Sequence, residues 1–235
     1  MSLPRAILID LDDTILDDSG NVDACWETAC TEASVRAGLD AEKMQLTIRR
    51  HASEWWGDAE RHRRVRLDLR AATTEIVAAA LAELGDEQTD MARVIANRYR
   101  DLREEGTALL PGALETLEWL RARGVRLGMM TNGAGPAQRA KIKRFGLAKY
   151  FDHILIEGEF GCGKPDARVF QTLLAALETV PAETWAIGDN VMWDVYGAMD
   201  VGIHGIWIDP SGKGVPVDWR EPDRTVTALS ELVAS

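Results

Sequence analysis

The sequence predicts an α/β fold: a Rossmann-like, doubly wound parallel sheet core with an all-helical domain inserted after its first strand. Three observations carry that prediction. Short apolar runs recur along the chain, several of them ending in a polar or acidic residue. Stretches with helical apolar spacing alternate with those runs, the pattern of βαβ units. Between about residues 20 and 105 the alternation stops and only helical patterning remains.

Taken in order, residues 5–10 form the first run, apolar up to Asp10. A run without polar alternation suits a central strand buried on both faces. Residues 125–130, 153–156, 185–187 and 203–208 repeat the pattern. Between them, Leu114, Leu117 and Leu120 follow Pro111 and stop at Gly124, while Pro136 opens a second helix that Gly146 closes. Proline near a helix start and glycine just past its end are the expected punctuation. Val169, Phe170, Leu173, Leu174 and Leu177 form the apolar stripe of a third helix.

The inserted region reads as helices over residues 23–37, 41–56, 71–84 and 87–103. Its polar, turn-rich hinges lie at residues 17–21 and 105–107. The expected domains are therefore a core of residues 1–17 and 107–235 and a helical domain of residues 18–106.

Composition bounds the function. Of 235 residues, 46% are hydrophobic, enough for a full core, and the formal net charge is −11. An acidic chain is not drawn to a nucleic acid polymer or an anionic membrane. No run spans a bilayer, and Asp10, Asp12 and Asp13 arrive before a signal segment could be completed. Three cysteines, Cys25, Cys30 and Cys162, build no paired framework. The expected setting is cytoplasmic, with a small phosphorylated metabolite as partner. Nothing in the sequence fixes the oligomeric state.

Four short segments sit where strands end: Asp10, Asp12, Asp13 and Thr14; Thr131, Asn132 and Gly133; Gly163, Lys164, Pro165 and Asp166; and Gly188, Asp189 and Asp194. In doubly wound sheets, ligands bind beyond the carboxyl ends of the strands. Side chains two apart in an extended segment face the same way, so Asp10 and Asp12 are expected to face one pocket. One carboxylate can attack phosphorus, forming an aspartyl-phosphate. The other can protonate the leaving oxygen and then deprotonate water. The plain alternative is an acidic turn with Thr14 as a helix cap.

Lys164 supplies the positive charge that a transferring phosphoryl group needs, and Thr131 a hydroxyl with backbone N–H groups nearby. Asp10, Asp189 and the backbone carbonyl of Asp12 make an all-oxygen set suited to Mg2+. Asp194 can join that set through water or hold Lys164.

With these residues in place, the chain resembles the haloacid dehalogenase-like (HAD) superfamily. The matching residues are Asp10, Asp12 and Thr14; Thr131; Lys164, Pro165 and Asp166; and Gly188, Asp189 and Asp194, in the family's order and across the whole core. The resemblance implies a helical cap of the C1 type and Mg2+-dependent phosphoryl transfer. It implies Asp10 as nucleophile, Asp12 as general acid and base, Thr131, Asn132 and Lys164 as phosphate-binding residues, Asp189 as a further metal ligand and Asp194 in support. Members that cleave carbon–halogen bonds typically lack an acid where Asp12 stands, so the resemblance favours a phosphatase of the nucleotide or sugar phosphate type. A sugar phosphomutase using the same aspartyl-phosphate, and a phosphate-binding module without turnover, remain the alternatives.

Selectivity is expected from the helical domain. Its basic stretch Arg61, His62, Arg63, Arg64, Arg66 and Arg70 reads as a solvated helix face paired with Asp58, Glu60 and Asp68, or as a site for a second anionic group. Trp55 and Trp56 read as packing residues or as a stacking platform.

Overall fold

The apolar runs become the strands of one parallel sheet. In the computed structural model, which describes residues 3–86 and 89–233, the chain divides into two compact units, Met1–Asp17 with Ala108–Ser235, and Asp18–Thr107. Glu87, where the sequence places a helix start, and the outermost domain limits, residues 1 and 235, lie outside the described residues.

In chain order the first unit contains β1 (Ala6–Ile9) and β2 (Leu16–Asp17). The helical unit follows with α1 (Val22–Ala37), α2 (Ala41–Trp56), α3 (Ala59–Val65), α4 (Leu69–Glu83) and α5 (Thr89–Gly106). The first unit then resumes with β3 (Ala108–Leu109), α6 (Ala113–Ala122), β4 (Arg126–Thr131), α7 (Gly135–Arg144), β5 (His153–Ile156), α8 (Glu157–Phe160) and α9 (Ala167–Ala176). Last come β6 (Thr184–Gly188), a π turn over Val191–Tyr196, β7 (His204–Ile208) and β8 (Arg224–Val226).

The sheet order is β5-β4-β1-β6-β7-β8, every pair parallel. Alternation along β1 loads both faces. Ile7 and Ile9 pack with Leu117 and Leu120 of α6 and Ile142 of α7, while Ala6 and Leu8 pack with Phe170 and Leu173 of α9. This is the two-sided burial that runs without polar alternation imply. Register sets Ile9 opposite Met129 and Ile187. Asp10 therefore leaves the sheet level with the end of β4 on one side and of β6 on the other. From β1 and β6 the chain continues toward opposite edges, which opens a crevice at their carboxyl ends.

The helical unit has its own core. Trp26 of α1 stacks on Tyr99 of α5 with ring centroids 3.6 Å apart, among Met44, Ile48, Ile76, Leu81 and Ile95. Asp40, Asp58 and Asp68 cap α2, α3 and α4 by accepting backbone N–H bonds.

Several local expectations change. A two-stranded antiparallel ladder, β2 with β3, flanks the expected hinges, and α5 runs on to Gly106. The basic stretch is not one solvated face: α3 ends at Val65, and Arg66 is buried. Asp68 caps α4, and Arg70 binds Asp101 and Glu104 of α5 instead, each at 2.8 Å. Trp55 and Trp56 pack against the helical core, with the Arg61 guanidinium 4.7 Å from the Trp55 ring centre. Thr14 caps no helix; it is buried in the turn after β1, where Asp13 adopts φ 55°.

Candidate active site

Asp10 is the first residue beyond β1, and its N–H donates to the Ile187 carbonyl at 3.0 Å. Lys164 arrives from the segment between α8 and α9. Its ammonium lies 2.5 Å from Asp10 Oδ1 and 2.6 Å from Asp194 Oδ1, and all three residues are buried. Asp194 sits on the π turn, where its Oδ2 accepts the Asn190 N–H at 3.0 Å. The Asn190 side chain in turn caps the turn through Trp193 N–H. A side chain at Gly188 would collide with the Asp194 carboxylate, so glycine there is a packing requirement. Asp189 is steadied through its backbone, whose carbonyl accepts the Trp207 indole N–H at 2.7 Å.

One carboxylate oxygen each from Asp10, Asp189 and Asp194 lies within 4.8 Å of the others. Three acids at this depth exceed what one ammonium neutralises. Burial pushes the Asp10 carboxyl up to about 7, with Lys164 opposing and Asp194 and Asp12 adding to the rise. Burial pushes Asp189 up to about 9, reinforced by Asp10, Asp194 and Asp13. Burial alone would lower the Lys164 pKa, but Asp10 and Asp194 hold it above the ordinary lysine range. An acid-rich pocket with only oxygen donors suits a hard divalent cation such as Mg2+. The Asp12 side chain is not among these three acids, so its share in such a site is limited to its backbone carbonyl.

Asp12 has different neighbours. β1 stops at Ile9, so the two-residue alternation that would turn Asp12 toward the partners of Asp10 lapses. Asp12 Oδ1 meets Lys141 Nζ at 2.7 Å and Oδ2 accepts Gln138 Nε2 at 2.8 Å, both from α7. Thr131, the last residue of β4, is buried, and its Oγ1 accepts the same Gln138 amide at 2.5 Å. Asn132, expected on phosphate, has its side chain engaged elsewhere. Its Oδ1 accepts Lys164 N–H at 2.8 Å and its Nδ2 donates to Lys164 O at 3.0 Å. The amide clamps the lysine's backbone and thereby aims its ammonium.

Gln138, Lys141 and Glu157 were not singled out from the sequence. Glu157 is buried and accepts the Gly133 N–H at 2.9 Å, tying α8 to the loop after β4. Gln138 and Lys141 are three apart on a helix, hence on one face, which was the only available signal.

A parallel sheet with lysine-bridged aspartates at its carboxyl edge and a helical insertion after its first strand defines a Rossmann-like α/β core with an acidic site at the strand ends. The family profile of haloacid dehalogenase-like hydrolases matches residues 4–202, and the chain belongs to that family. It is 32% identical to the phosphoserine phosphatase of Thermus thermophilus over 97% of this chain and 100% of that protein. It is 29% identical to the ribulose-1,5-bisphosphate 5-phosphatase of Halopiger xanaduensis, covering 98% of each. Its fold matches a HAD hydrolase of Bacillus subtilis solved bound to magnesium, with a TM-score of 0.76 at 23% identity over 99% of this chain and 98% of that one.

Proposed function

We propose that this hydrolase is a phosphatase that releases inorganic phosphate from a small phosphorylated metabolite, of the nucleotide or sugar phosphate kind, through an aspartyl-phosphate on Asp10. The observation that carries the reading is the buried Lys164 ammonium between Asp10 and Asp194, with Asp189 beside them. The relatives that act on phosphoserine and on ribulose bisphosphate support a small phosphate ester as substrate.

In the first step an Asp10 oxygen forms a bond to phosphorus as the ester P–O bond breaks. The departing alkoxide takes a proton from Asp12. In the second step Asp12 takes a proton from water as that oxygen attacks phosphorus, the Asp10–phosphorus bond breaks, and phosphate leaves. Lys164 and the Thr131 hydroxyl hold phosphoryl oxygens and offset the charge that builds on them. Asp10, Asp189 and the Asp12 carbonyl are the residues to hold Mg2+, with Asp194 in support. When bound, the ion offsets the mutual repulsion of these carboxylates and the substrate's dianion. The helical unit supplies selectivity, as a cap does. Cys25, Cys30 and Cys162 are free thiols, which supports a reducing, cytoplasmic setting.

The test measures free phosphate across nucleotides, sugar phosphates, phosphoserine and small organic phosphates with Mg2+. Turnover is expected on at least one class, and a chelator should stop it. Asp10→Asn should lower kcat by at least about 10⁴-fold, the scale of losing a covalent nucleophile. Substantial turnover by that variant ends the covalent reading. Isomerised sugar phosphate in place of free phosphate would make the enzyme a mutase. Ligand-induced stabilisation without turnover would make the protein a binding module.

A further inference from the structure

Asp12 lies on backbone that no strand holds. The β1 ladder has ended at Ile9, Asp13 turns through φ 55°, and Asp12 itself keeps a single bridge, to Leu16. Its carboxylate nevertheless has both oxygens engaged. Lys141 Nζ lies 2.7 Å from Oδ1 and Gln138 Nε2 lies 2.8 Å from Oδ2. Neither group serves Asp10, whose cation is Lys164. The two aspartates sit two residues apart on separate anchors.

The platform beneath the second anchor is firm. Pro136 lies in the first turn of α7, and Ile142 is buried in the sheet's core. Arg139, between the two anchoring residues, binds Glu159 through two hydrogen bonds of 2.8 and 2.7 Å. Gln138 is buried, and the Lys141 side chain keeps only 16% of its surface exposed.

Gln138 reaches further. Its Nε2 also donates to Thr131 Oγ1 at 2.5 Å and to Asn132 O at 3.1 Å. A hydroxyl that accepts a hydrogen bond keeps its own proton for another acceptor. One side chain thus orients the Thr131 hydroxyl as a donor and fixes Asp12 at the same time.

We infer that Lys141 and Gln138 are positioning residues: they hold the Asp12 carboxylate, beside the Thr131 hydroxyl, in the one place from which it can pass a proton to the leaving oxygen. The inference rests on the phosphatase reading and adds two residues to it. An acid delivers a proton usefully only when its oxygen is held within hydrogen-bond reach of the acceptor, and a loop carboxylate with free rotamers is not. Loss of Lys141 therefore falls on proton transfer and spares phosphoryl binding, which Lys164 and Thr131 carry, whereas loss of Gln138 also frees the Thr131 hydroxyl.

Leaving groups separate that role from a merely structural one. An alkoxide must be protonated as it leaves, whereas 4-nitrophenolate leaves with little help. For the best alkyl phosphate of the panel, Lys141→Met should lower kcat/KM, which ends with departure of the alcohol, about 100-fold, the weight of a general acid, and Gln138→Leu should lower it at least as much. For 4-nitrophenyl phosphate the loss in kcat/KM for Lys141→Met should stay below about fivefold, because the water attack that Asp12 assists, common to both esters, comes after that point. Lys141→Arg keeps the charge and should recover most of the alkyl-ester rate. Melting temperatures establish that the variants are folded, and Lys141→Gln gives the same split should the methionine variant unfold. Equal losses in kcat/KM on the two esters by a folded Lys141 variant, or no loss, would overturn the inference while leaving the phosphatase reading standing. A wild-type enzyme that cleaves neither ester with Mg2+ would end both.

Discussion

Lys164 in the α/β unit and Arg98 in the helical unit each meet a carboxylate with good geometry, yet they sit in opposite surroundings. Lys164 lies between Asp10 and Asp194 with all three side chains under 10% exposed. Arg98 of α5 meets Glu32 of α1 through bonds of 2.8 and 3.0 Å, with their side chains 35% and 49% exposed. Further ion pairs of the helical unit, among them Arg50 and His51 with Glu83 and Arg70 with Asp101 and Glu104, also keep to its surface. Arg103 with Asp18 is its more enclosed pair. The contrast teaches that the α/β unit gathers buried charge at one point for chemistry, whereas the helical unit, though it encloses Arg66 and the Arg103 and Asp18 pair, takes its shape from apolar packing. Water screens an exposed pair, whereas buried charges depend on each other.

The largest effect should follow removal of the buried cation. Lys164→Met leaves Asp10, Asp189 and Asp194 together without their ammonium. Breaking a buried pair from one side costs about 3–5 kcal/mol. Turnover should vanish, and denaturant unfolding at pH 8 should show the stability loss. The loss should shrink toward pH 5, because the stranded carboxyls can protonate. Unchanged stability at pH 8 would erase the contrast between the two units.

A smaller effect comes from titrating the acids. In the fold, Asp10 is raised from 3.8 to about 7 and Asp189 from 3.8 to about 9. The folded protein therefore favours their neutral forms. Their contribution to stability is fully present below about 4 and is lost as pH rises through about 7 and then about 9. A divalent cation held by Asp10, Asp189 and Asp194 would compete with those protons for the same oxygens. Added Mg2+ should raise the melting temperature little at pH 5 and much more at pH 8, where occupancy at 100 times Kd is worth about 2.7 kcal/mol. A chelator should reverse the gain. Equal stabilisation at both pH values would break the link between the acid cluster and the metal.

What the sequence made legible follows the same division. Five apolar runs became β1, β4, β5, β6 and β7, because burial on both faces leaves a local signature. In a parallel sheet the strand ends coincide, so strand patterning alone sets Asp10, Thr131 and Asp189 at one edge, and the fold brings Lys164 to it. Two-residue strands such as β2 and β3 show no period to read, and β8 is a short, polar edge strand. The partners of Asp12 were hidden because they are tertiary: Gln138 and Lys141 lie 126 and 129 residues away. Asn132 illustrates a further limit. Its place just past β4 is legible in the sequence, but only the folded chain shows its amide turned to the backbone of Lys164. Helix α3 is legible only as a basic helix face and not by its bounds, because its seven residues carry no apolar stripe.

The smallest effect sharpens the comparison most. The Arg98 and Glu32 bond is bidentate, the arrangement in which an ion pair performs best, and it joins α1 to α5. Its hydrogen bonds hold the Glu32 carboxyl below the usual range. Both groups still meet solvent, which screens their attraction, and ordering two long side chains opposes it. The same two helices are joined inside by the stacked Trp26 and Tyr99 rings and by Cys25, Ala29, Ile95 and Ala96. Arg98→Ala should therefore leave kcat unchanged and the melting temperature within about 2 °C of wild type, in low and high salt alike. A larger drop that salt abolishes would show that the helical unit too depends on its charges, and the division between a packed unit and a charged one would have to be redrawn around α5.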